Sequence, residues 1–265
     1  MNAEKKGFVP EQTFDTMEGG HGRRGIFSMI LSEKQVRVLA TIDRFGLLTS
    51  TQLVEMLKGE VSHVTIYNSK KKLADLGFLH EEKIGYRLIL SIRPSGVDYL
   101  GSTLTAFTKI NYGTMRHQLL MNDAILALKA LAEQRGQSFA FQTERELRSD
   151  YLDLYFSPTD RRNPTKLKRV PERIPDFVVE EHGERMAYEV ELTRKSAKRY
   201  LEKMTRYRDE VLNGTYQSVR YLCESDKLLD VVRTYAKQAG MEASMLQLDL
   251  LRRLFALGEN QRGSQ

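Results

Sequence analysis

Three acidic residues stand on two neighbouring predicted strands with the spacing of a cation site. Asp176 follows Pro175 at the start of one apolar run, and Glu189 and Glu191 alternate with apolar residues in the next. Side chains two apart in a strand share a face, so Glu189 and Glu191 lie roughly 7 Å apart, and Asp176 can face the same side. Carboxylates bind Mg²⁺ or Mn²⁺. The pattern predicts a metal site that activates a nucleophile beside a phosphodiester.

The same alternation is also typical of a solvated edge strand. In that interpretation, Glu189 and Glu191 pair with Arg194 or Lys198 at the surface and bind nothing else. The spacing within one strand does not separate the two interpretations. Only the position of the strand in the sheet can do so.

Other residues with reactive side chains give weaker signals. Tyr200 and Tyr207 are potential nucleophiles or base-stacking groups, but buried aromatic packing is the favoured interpretation. His117 and His182 have no partner at metal-ligand spacing, so both are predicted to be structural. The chain has no phosphate-cradling glycine loop, zinc pattern or nucleophile elbow.

Basic residues flank the acidic pattern on both sides. A positive rim is what a DNA strand needs in order to approach a group of carboxylates. The net charge of +6 favours an anionic partner without identifying it. The basic residues are Arg161, Arg162, Lys166, Lys168, Arg169 and Arg173 before Asp176, and Arg194, Lys195, Lys198, Arg199, Lys203, Arg206 and Arg208 after Glu191. Of these, Arg194, Lys198 and Arg199 are predicted DNA contacts.

The first half of the chain carries the pattern of three helices. Ser32 and Gln35 have the spacing of a capping box, Thr49 begins a second helix, and a third begins at Ser62 and ends at Gly77. The apolar positions of the third helix predict packing against its neighbours, and they are Val64, Ile66, Tyr67, Leu73 and Leu76.

Two short strands at 78–80 and 86–90, with a turn between them, follow the third helix, and a helical turn at 94–100 ends the unit. Three helices and a β-hairpin in this order predict a winged helix. The last helix of such a unit enters the major groove with its first residues near base edges. The alternative is that the unit serves dimerisation or protein contact.

The predicted DNA contacts of the third helix are polar or basic. Ser62, His63, Thr65 and Asn68 can bind bases or phosphates, and Lys70, Lys71 and Lys72 add charge. Arg87 in the wing is placed for a minor-groove or phosphate contact.

The second half alternates between helix and strand. A long helix at 114–134 precedes a strand at 138–143, a short helical turn beginning at Glu144, and a basic loop at 150–170. The paired strands at 174–180 and 185–193 then precede a basic helix at 195–212, and further alternation follows. The predicted fold class is α+β, with a winged helix-turn-helix at 29–105 and a mixed α/β domain at 106–265.

Composition supports a folded, soluble protein. Of 265 residues, 41% are hydrophobic, and no run is long enough to cross a membrane. Residues 1–28 carry glycines and Arg23-Arg24, which predicts a flexible arm that is either a simple tail or a DNA contact. The N-terminus lacks the apolar segment of a signal peptide, and Cys223 is the only cysteine, so a reducing, cytoplasmic location is expected.

Together these motifs resemble the replication-relaxation proteins, which include the MOBC plasmid relaxases. The resemblance covers most of residues 30–225, and its specific content is in 174–207, where Pro-Asp and Glu-Val-Glu resemble the PD-(D/E)XK nuclease pattern. It implies a restriction-endonuclease-like domain in which Asp176, Glu189 and Glu191 bind metal and act in catalysis, with Glu144 and Lys195 assisting. It also implies binding to double-stranded DNA at a transfer or replication origin, nicking of one strand, and work alongside relaxosome accessory or coupling proteins.

The sequence departs from that pattern at one position. Glu191 stands where the pattern has lysine, and Lys195 is four residues further on. Two functions are therefore expected. One is a Mg²⁺- or Mn²⁺-dependent DNA strand nickase of the relaxase type, and the other is a non-catalytic DNA-binding accessory or regulator that keeps the nuclease fold.

Overall fold

The computed structural model describes residues 31–105, 110–181 and 183–262. The predicted arm at 1–28 and His182 lie outside these residues. From Ser32 onward the chain forms one compact unit of mixed α and β structure. Within the described residues, no helix is both long and apolar enough to span a membrane.

Four helices and a small sheet form the first part of this unit. The helices are α1 (Glu33–Phe45), α2 (Ser50–Met56), α3 (His63–Asp75) and α4 (Pro94–Leu100). The strands are β1 (Leu47–Thr49), β2 (Leu79–Ile84) and β3 (Arg87–Ile92), in the antiparallel order β1-β3-β2.

Local capping interactions explain where these helices begin. Ser32 and Gln35 form a complete capping box at α1, as predicted, and Thr49 and Gln52 form another at α2. Strand β1 was not predicted. Its three residues are all buried, so no alternation of polar and apolar side chains marks it in the sequence.

The helix α5 (Tyr112–Gln134) joins the first part of the unit to the rest. The Gln52 side-chain amide donates to the Leu119 carbonyl at 2.9 Å and to the Asp123 carboxylate at 2.7 Å. The Asn122 amide donates to the Leu47 carbonyl at 2.9 Å. Gln52 and Asn122 are buried, so these bonds satisfy polar groups that would otherwise be costly to bury. They fix β1 and α2 against α5.

A five-stranded mixed sheet forms the second part, in the order β4-β5-β6-β7-β8. The first three strands are antiparallel and the last three are parallel. The strands are β4 (Ala140–Thr143), β5 (Phe177–Glu181), β6 (Glu184–Glu191), β7 (Ser218–Cys223) and β8 (Leu246–Leu250). The helices are α6 (Glu144–Tyr155), α7 (Pro164–Leu167), α8 (Ala197–Leu212), α9 (Asp226–Gln238) and α10 (Leu251–Arg262).

The prediction that residues 150–170 form a loop was wrong in part. Helix α6 continues to Tyr155, and α7 lies between two single turns of 3-10 helix at Asp160–Arg162 and Val170–Glu172. Asn163 accepts hydrogen bonds from the first free N–H groups of α7, and Pro164 has the backbone angle that a helix start requires.

Helices α8 and α9 cover one face of the mixed sheet. The core beneath them contains Tyr200, Met204 and Tyr207 of α8 packed on Ala187, Val219 and other sheet residues. Strand β6 is the central strand of this sheet. Its glutamates, Glu189 and Glu191, therefore face a covered surface, and each is only 1% exposed. The interpretation of these residues as a solvated edge strand was wrong.

Candidate active site

Asp176 directly precedes β5 and is held by the backbone of β6. Its N–H donates to the Tyr188 carbonyl at 3.0 Å, and its carboxylate accepts from the Val190 N–H at 2.7 Å. The register pairs Phe177 with Tyr188, which places Asp176 beside Glu189. The predicted proximity of these two acidic residues follows directly from the pairing of β5 with β6.

His117 of α5 completes the environment of Asp176. Its Nε2 donates to the Val190 carbonyl at 3.0 Å and lies 3.3 Å from the Asp176 carboxylate. Burial would lower the pKa of His117, but the hydrogen bond and charge of Asp176 outweigh burial and raise that pKa to about 9. Burial would raise the pKa of Asp176, and His117 instead lowers it to about 2. The two side chains therefore form an ion pair at neutral pH.

Glu189 is paired from helix α8. Lys203 donates to its carboxylate at 2.6 Å, and the Tyr207 hydroxyl donates to the other carboxylate oxygen. Tyr207 is fully buried, and burial together with the negative charge of Glu189 raises the pKa of its phenol well above the usual value. A phenol that is buried and held protonated in this way is unsuited to act as a nucleophile, in agreement with the packing role that was favoured for Tyr207.

Glu191 and Lys195 form a second pair at the end of β6. The Lys195 Nζ lies 2.8 Å from the Glu191 carboxylate. Burial would lower the pKa of Lys195, but the charges of Glu189 and Glu191 raise it, so the lysine stays positive. Lys195 thus reaches the acidic cluster from its position four residues after Glu191, and the residue that it contacts there is Glu191.

Glu144, the first residue of α6, lies close to Asp176. Burial raises the pKa of Glu144, and the nearby charge of Asp176 raises it further. Its carboxylate forms no hydrogen bond or ion pair with any residue that the structure describes. Among the predicted acidic site residues, Glu144 is therefore the one whose carboxylate has no hydrogen-bond or ion-pair partner within the described part of the chain.

These side chains border a cavity of about 1330 Å³ between α5, α6 and α8. His117, Glu144, Asp176, Lys195 and Lys203 line it, while Glu189 and Glu191 lie behind the two lysines. Arginines form much of the remaining wall, and they are Arg145, Arg148, Arg169, Arg173, Arg199 and Arg206. Among residues 31–105, 110–181 and 183–262, Arg148, Arg169 and Arg173 have no ion-pair partner within 4 Å, so their charge is available to an anion.

The cluster in this arrangement does not fit a bound divalent metal unless at least one protein cation is displaced. Within the described ranges, no three His, Cys, Asp or Glu side chains are grouped so that they could hold an ion. Instead, protein cations occupy the carboxylates of the predicted metal triad: His117 at Asp176, Lys203 at Glu189 and Lys195 at Glu191. The oxygen ligands suit Mg²⁺ or Mn²⁺, but these cations already balance much of their charge.

The other predicted contacts around the cluster lie further out. Arg194 and Lys198 are exposed and outside the cavity wall, and Lys198 is 3.9 Å from Glu202. Arg199 lines the cavity and lies 3.4 Å from Glu172. Arg87, at the start of β3, is exposed.

The predicted contacts on α3 do not all face solvent. His63, Asn68 and Lys71 are exposed, and Ser62 is exposed as well while it caps the helix by accepting from the Thr65 N–H. Among the lysines, Lys72 donates to Gln35 at 3.1 Å. Lys70 is only 5% exposed and donates to the Ser50 hydroxyl at 2.7 Å, with Glu81 3.8 Å away. The charge of Lys70 is therefore directed into the protein.

Two residues of the site were not identified from sequence. His117 was predicted to be structural, and Lys203 was only one of many basic residues. A signal for Lys203 did exist, because it lies four residues before Tyr207 and next to Met204, on the side of α8 that packs on the sheet. No comparable signal existed for His117, whose partners are far away in sequence.

The chain matches no protein-family model, no curated protein and no solved structure. The function of the site therefore has to be inferred from its own geometry and charge.

Proposed function

We propose that this chain is a DNA-binding protein of the relaxase type, which binds duplex DNA at a transfer or replication origin and nicks one strand. In this proposal residues 29–105 are a winged helix and residues 106–265 a restriction-endonuclease-like domain. Relaxosome accessory or coupling proteins are its expected partners. The observation that carries the proposal is a cavity in which cationic side chains surround the His117–Asp176 pair.

The pairing of two strands supports this proposal. Asp176 precedes β5 and Glu189 lies opposite it on β6, the placement that the PD-(D/E)XK resemblance implies for its two acidic residues. Glu144 comes from the helix after the first strand, as the resemblance implies. Lys203 supplies a lysine next to Glu189, which compensates for the glutamate at 191.

The cavity wall suits a phosphodiester. Arg148, Arg169 and Arg173 can offset the charge of the DNA backbone, since each guanidinium has several donors in a fork that matches phosphate oxygens. In a hydrolytic nick a water oxygen forms a bond to phosphorus and loses one proton to solvent, while one P–O bond breaks and the leaving deoxyribose oxygen takes up a proton. With a pKa of about 9, His117 is protonated at pH 7, so it suits the role of proton donor rather than that of base.

A plasmid-nicking assay tests the proposal. Supercoiled plasmid carrying the DNA that neighbours the coding sequence is incubated with the full chain in the presence of Mg²⁺, Mn²⁺ or EDTA. We expect open-circular product, and we expect Asp176→Asn and His117→Gln to reduce it at least tenfold. Arg233→Gln is the matched control, because Arg233 is an exposed cation of α9 outside the cavity wall. Nicking that persists in Asp176→Asn would refute the assignment of the site.

A non-catalytic DNA-binding accessory or regulator is the second candidate. It is favoured by the pairing of Asp176, Glu189 and Glu191 with protein cations, since a site balanced in this way can serve stability alone. In that case the wild-type chain binds the plasmid tightly and leaves it supercoiled under all three conditions. Unchanged DNA affinity in Asp176→Asn would support this candidate.

Binding of Mg²⁺ or Mn²⁺ is a separate proposal, because a metal has to displace at least one protein cation from the carboxylates. Calorimetric titration of the DNA complex with Mn²⁺ tests it directly. We expect heat of binding from the wild type and none from a variant carrying both Asp176→Asn and Glu144→Gln. Equal heats from both proteins would exclude this cluster as the metal site.

A further inference from the structure

Helix α3 presents an apolar stripe to solvent. Val64 is 68% exposed and Tyr67 is 61% exposed, although both were predicted to pack inside the protein. Ile66 and Leu73, also predicted to pack, are buried. The prediction for Val64 and Tyr67 was wrong because these two residues lie on the side of the helix opposite Ile66 and Leu73.

Helical geometry makes the exposed residues one continuous surface. At 100° per residue, the exposed positions of α3 from 63 to 71 fall within an arc of roughly 140°. Within that arc Val64 lies between Lys71 and Asn68, and Tyr67 lies on the other side of Lys71. We call this surface the α3 stripe, and its members are His63, Val64, Tyr67, Asn68 and Lys71.

The α3 stripe is chemically suited to a DNA groove. Lys71 is exposed on the stripe, and residues 63–72 contain no acidic residue, so the surface complements the charge of phosphates beside a groove. Asn68 has the amide that pairs with the N6 and N7 edge of adenine. An exposed valine beside it has no polar function, but thymine displays an apolar methyl group in the same groove.

We propose that Val64 contacts the C5 methyl group of a thymine in the major groove, beside an adenine bound by Asn68, and so determines a preference for an A·T pair. This inference rests on the proposed binding of duplex DNA by α3. Tyr67 forms the neighbouring apolar wall, with the Lys70 Nζ 5.9 Å from the centre of its ring.

Replacing thymine by deoxyuridine removes only the methyl group, so it tests the contact directly. Preferred duplexes are first selected from a random-sequence duplex library with the full wild-type chain, and each thymine is then replaced in turn. We expect one replacement to weaken wild-type binding about fourfold, the factor that corresponds to ~0.8 kcal/mol for one buried methyl group. The same replacement has no effect on Val64→Ala.

Two further variants keep the test specific. Lys71→Ala, on the same stripe, weakens binding to both duplexes and keeps the fourfold ratio. Val64→Thr preserves the branched shape and one γ-methyl group, so we expect it to keep part of the ratio. Circular dichroism verifies that each variant is folded, as expected for substitutions at exposed positions.

Three outcomes would overturn the inference. If selected duplexes are bound but no deoxyuridine replacement matters, or if Val64→Ala keeps the ratio, Val64 does not bind a thymine methyl group while DNA binding itself stands. If Val64→Asp breaks a homodimer and leaves DNA affinity unchanged, the α3 stripe binds a second copy of the chain. If no duplex is bound by any variant, the proposed function fails along with the inference.

Discussion

The ion pair of His117 with Asp176 predicts a pH dependence of stability that one substitution removes. Asp176→Asn keeps an oxygen to accept the Val190 N–H but removes the negative charge. Burial of His117 then acts with much less opposition, so we expect its pKa to fall from about 9 toward its ordinary value of 6.5. The free energy of unfolding at pH 7 decreases at the same time.

The size of that decrease follows from the two pKa values. The rise of His117 from 6.5 to about 9 corresponds to ~3.4 kcal/mol, and the fall of Asp176 from 3.8 to about 2 corresponds to ~2.4 kcal/mol. Both values describe the same contact, so they are not added. We take about 2 kcal/mol, the lower figure, because about a third of the His117 side chain is exposed to screening water.

The sign of the pH dependence differs for the two partners. The pKa of His117 is raised on folding, so its stabilisation is complete below 6.5 and is lost as the pH rises through about 9. The pKa of Asp176 is lowered, so its stabilisation is complete above 3.8 and is lost as the pH falls through about 2. The stability difference between wild type and Asp176→Asn should therefore be largest between pH 3.8 and pH 6.5, where both stabilisations are complete.

Two measurements check this prediction. Urea unfolding from pH 5 to pH 10 should give a difference of about 2 kcal/mol near pH 6 that shrinks progressively above pH 6.5 and is largely lost above pH 9. NMR titration of the imidazole protons should show one histidine titrating near pH 9, which the spectrum of His117→Gln assigns. A His117 that titrates near 6.5 in the wild type, or a stability difference independent of pH, would refute the reasoning.

Three further predictions concern other contacts. Asn68→Ala should reduce the preference for selected over random duplexes, whereas Lys71→Ala should reduce the salt dependence of binding to both; equal effects of both variants on both DNAs would exclude α3 as the reader. Asn122→Ala leaves a buried β1 carbonyl without its donor and should cost about 1 to 3 kcal/mol in urea unfolding, while no measurable loss would contradict the fixed β1–α5 contact. Glu189→Gln leaves Lys203 without its counter-charge and should cost about 3 to 5 kcal/mol, a loss that added Lys203→Met should partly reverse if charge is the cause.

Local features of this fold could be predicted from sequence. The Ser32–Gln35 capping box involves residues three apart, so its pattern is complete within one turn of helix. The proximity of Asp176 and Glu189 was predictable for a similar reason, because β5 and β6 are joined by a short turn.

Contacts between distant elements could not be predicted in this way. His117 contacts Val190 across 73 residues, and nothing near His117 in the chain marks that contact. The inward direction of Lys70, by contrast, could have been predicted from the sequence. It lies between Ile66 and Leu73 at helical spacing, and both of these are fully buried, so the run of three lysines was too simply treated as one charged surface.

The buried amides of Gln52 on α2 and Asn122 on α5 have one more consequence. The helix that they fix to α2 and β1 is the same helix that carries His117, so α5 is a rigid spacer between the α3 stripe and the cavity. A nick made by such a protein would fall at a constant number of base pairs from the sequence that it reads. Inserting about five base pairs, half a turn of B-DNA, would move the original target phosphate to the opposite side of the duplex, and the nick would fall on a different phosphate at the original distance.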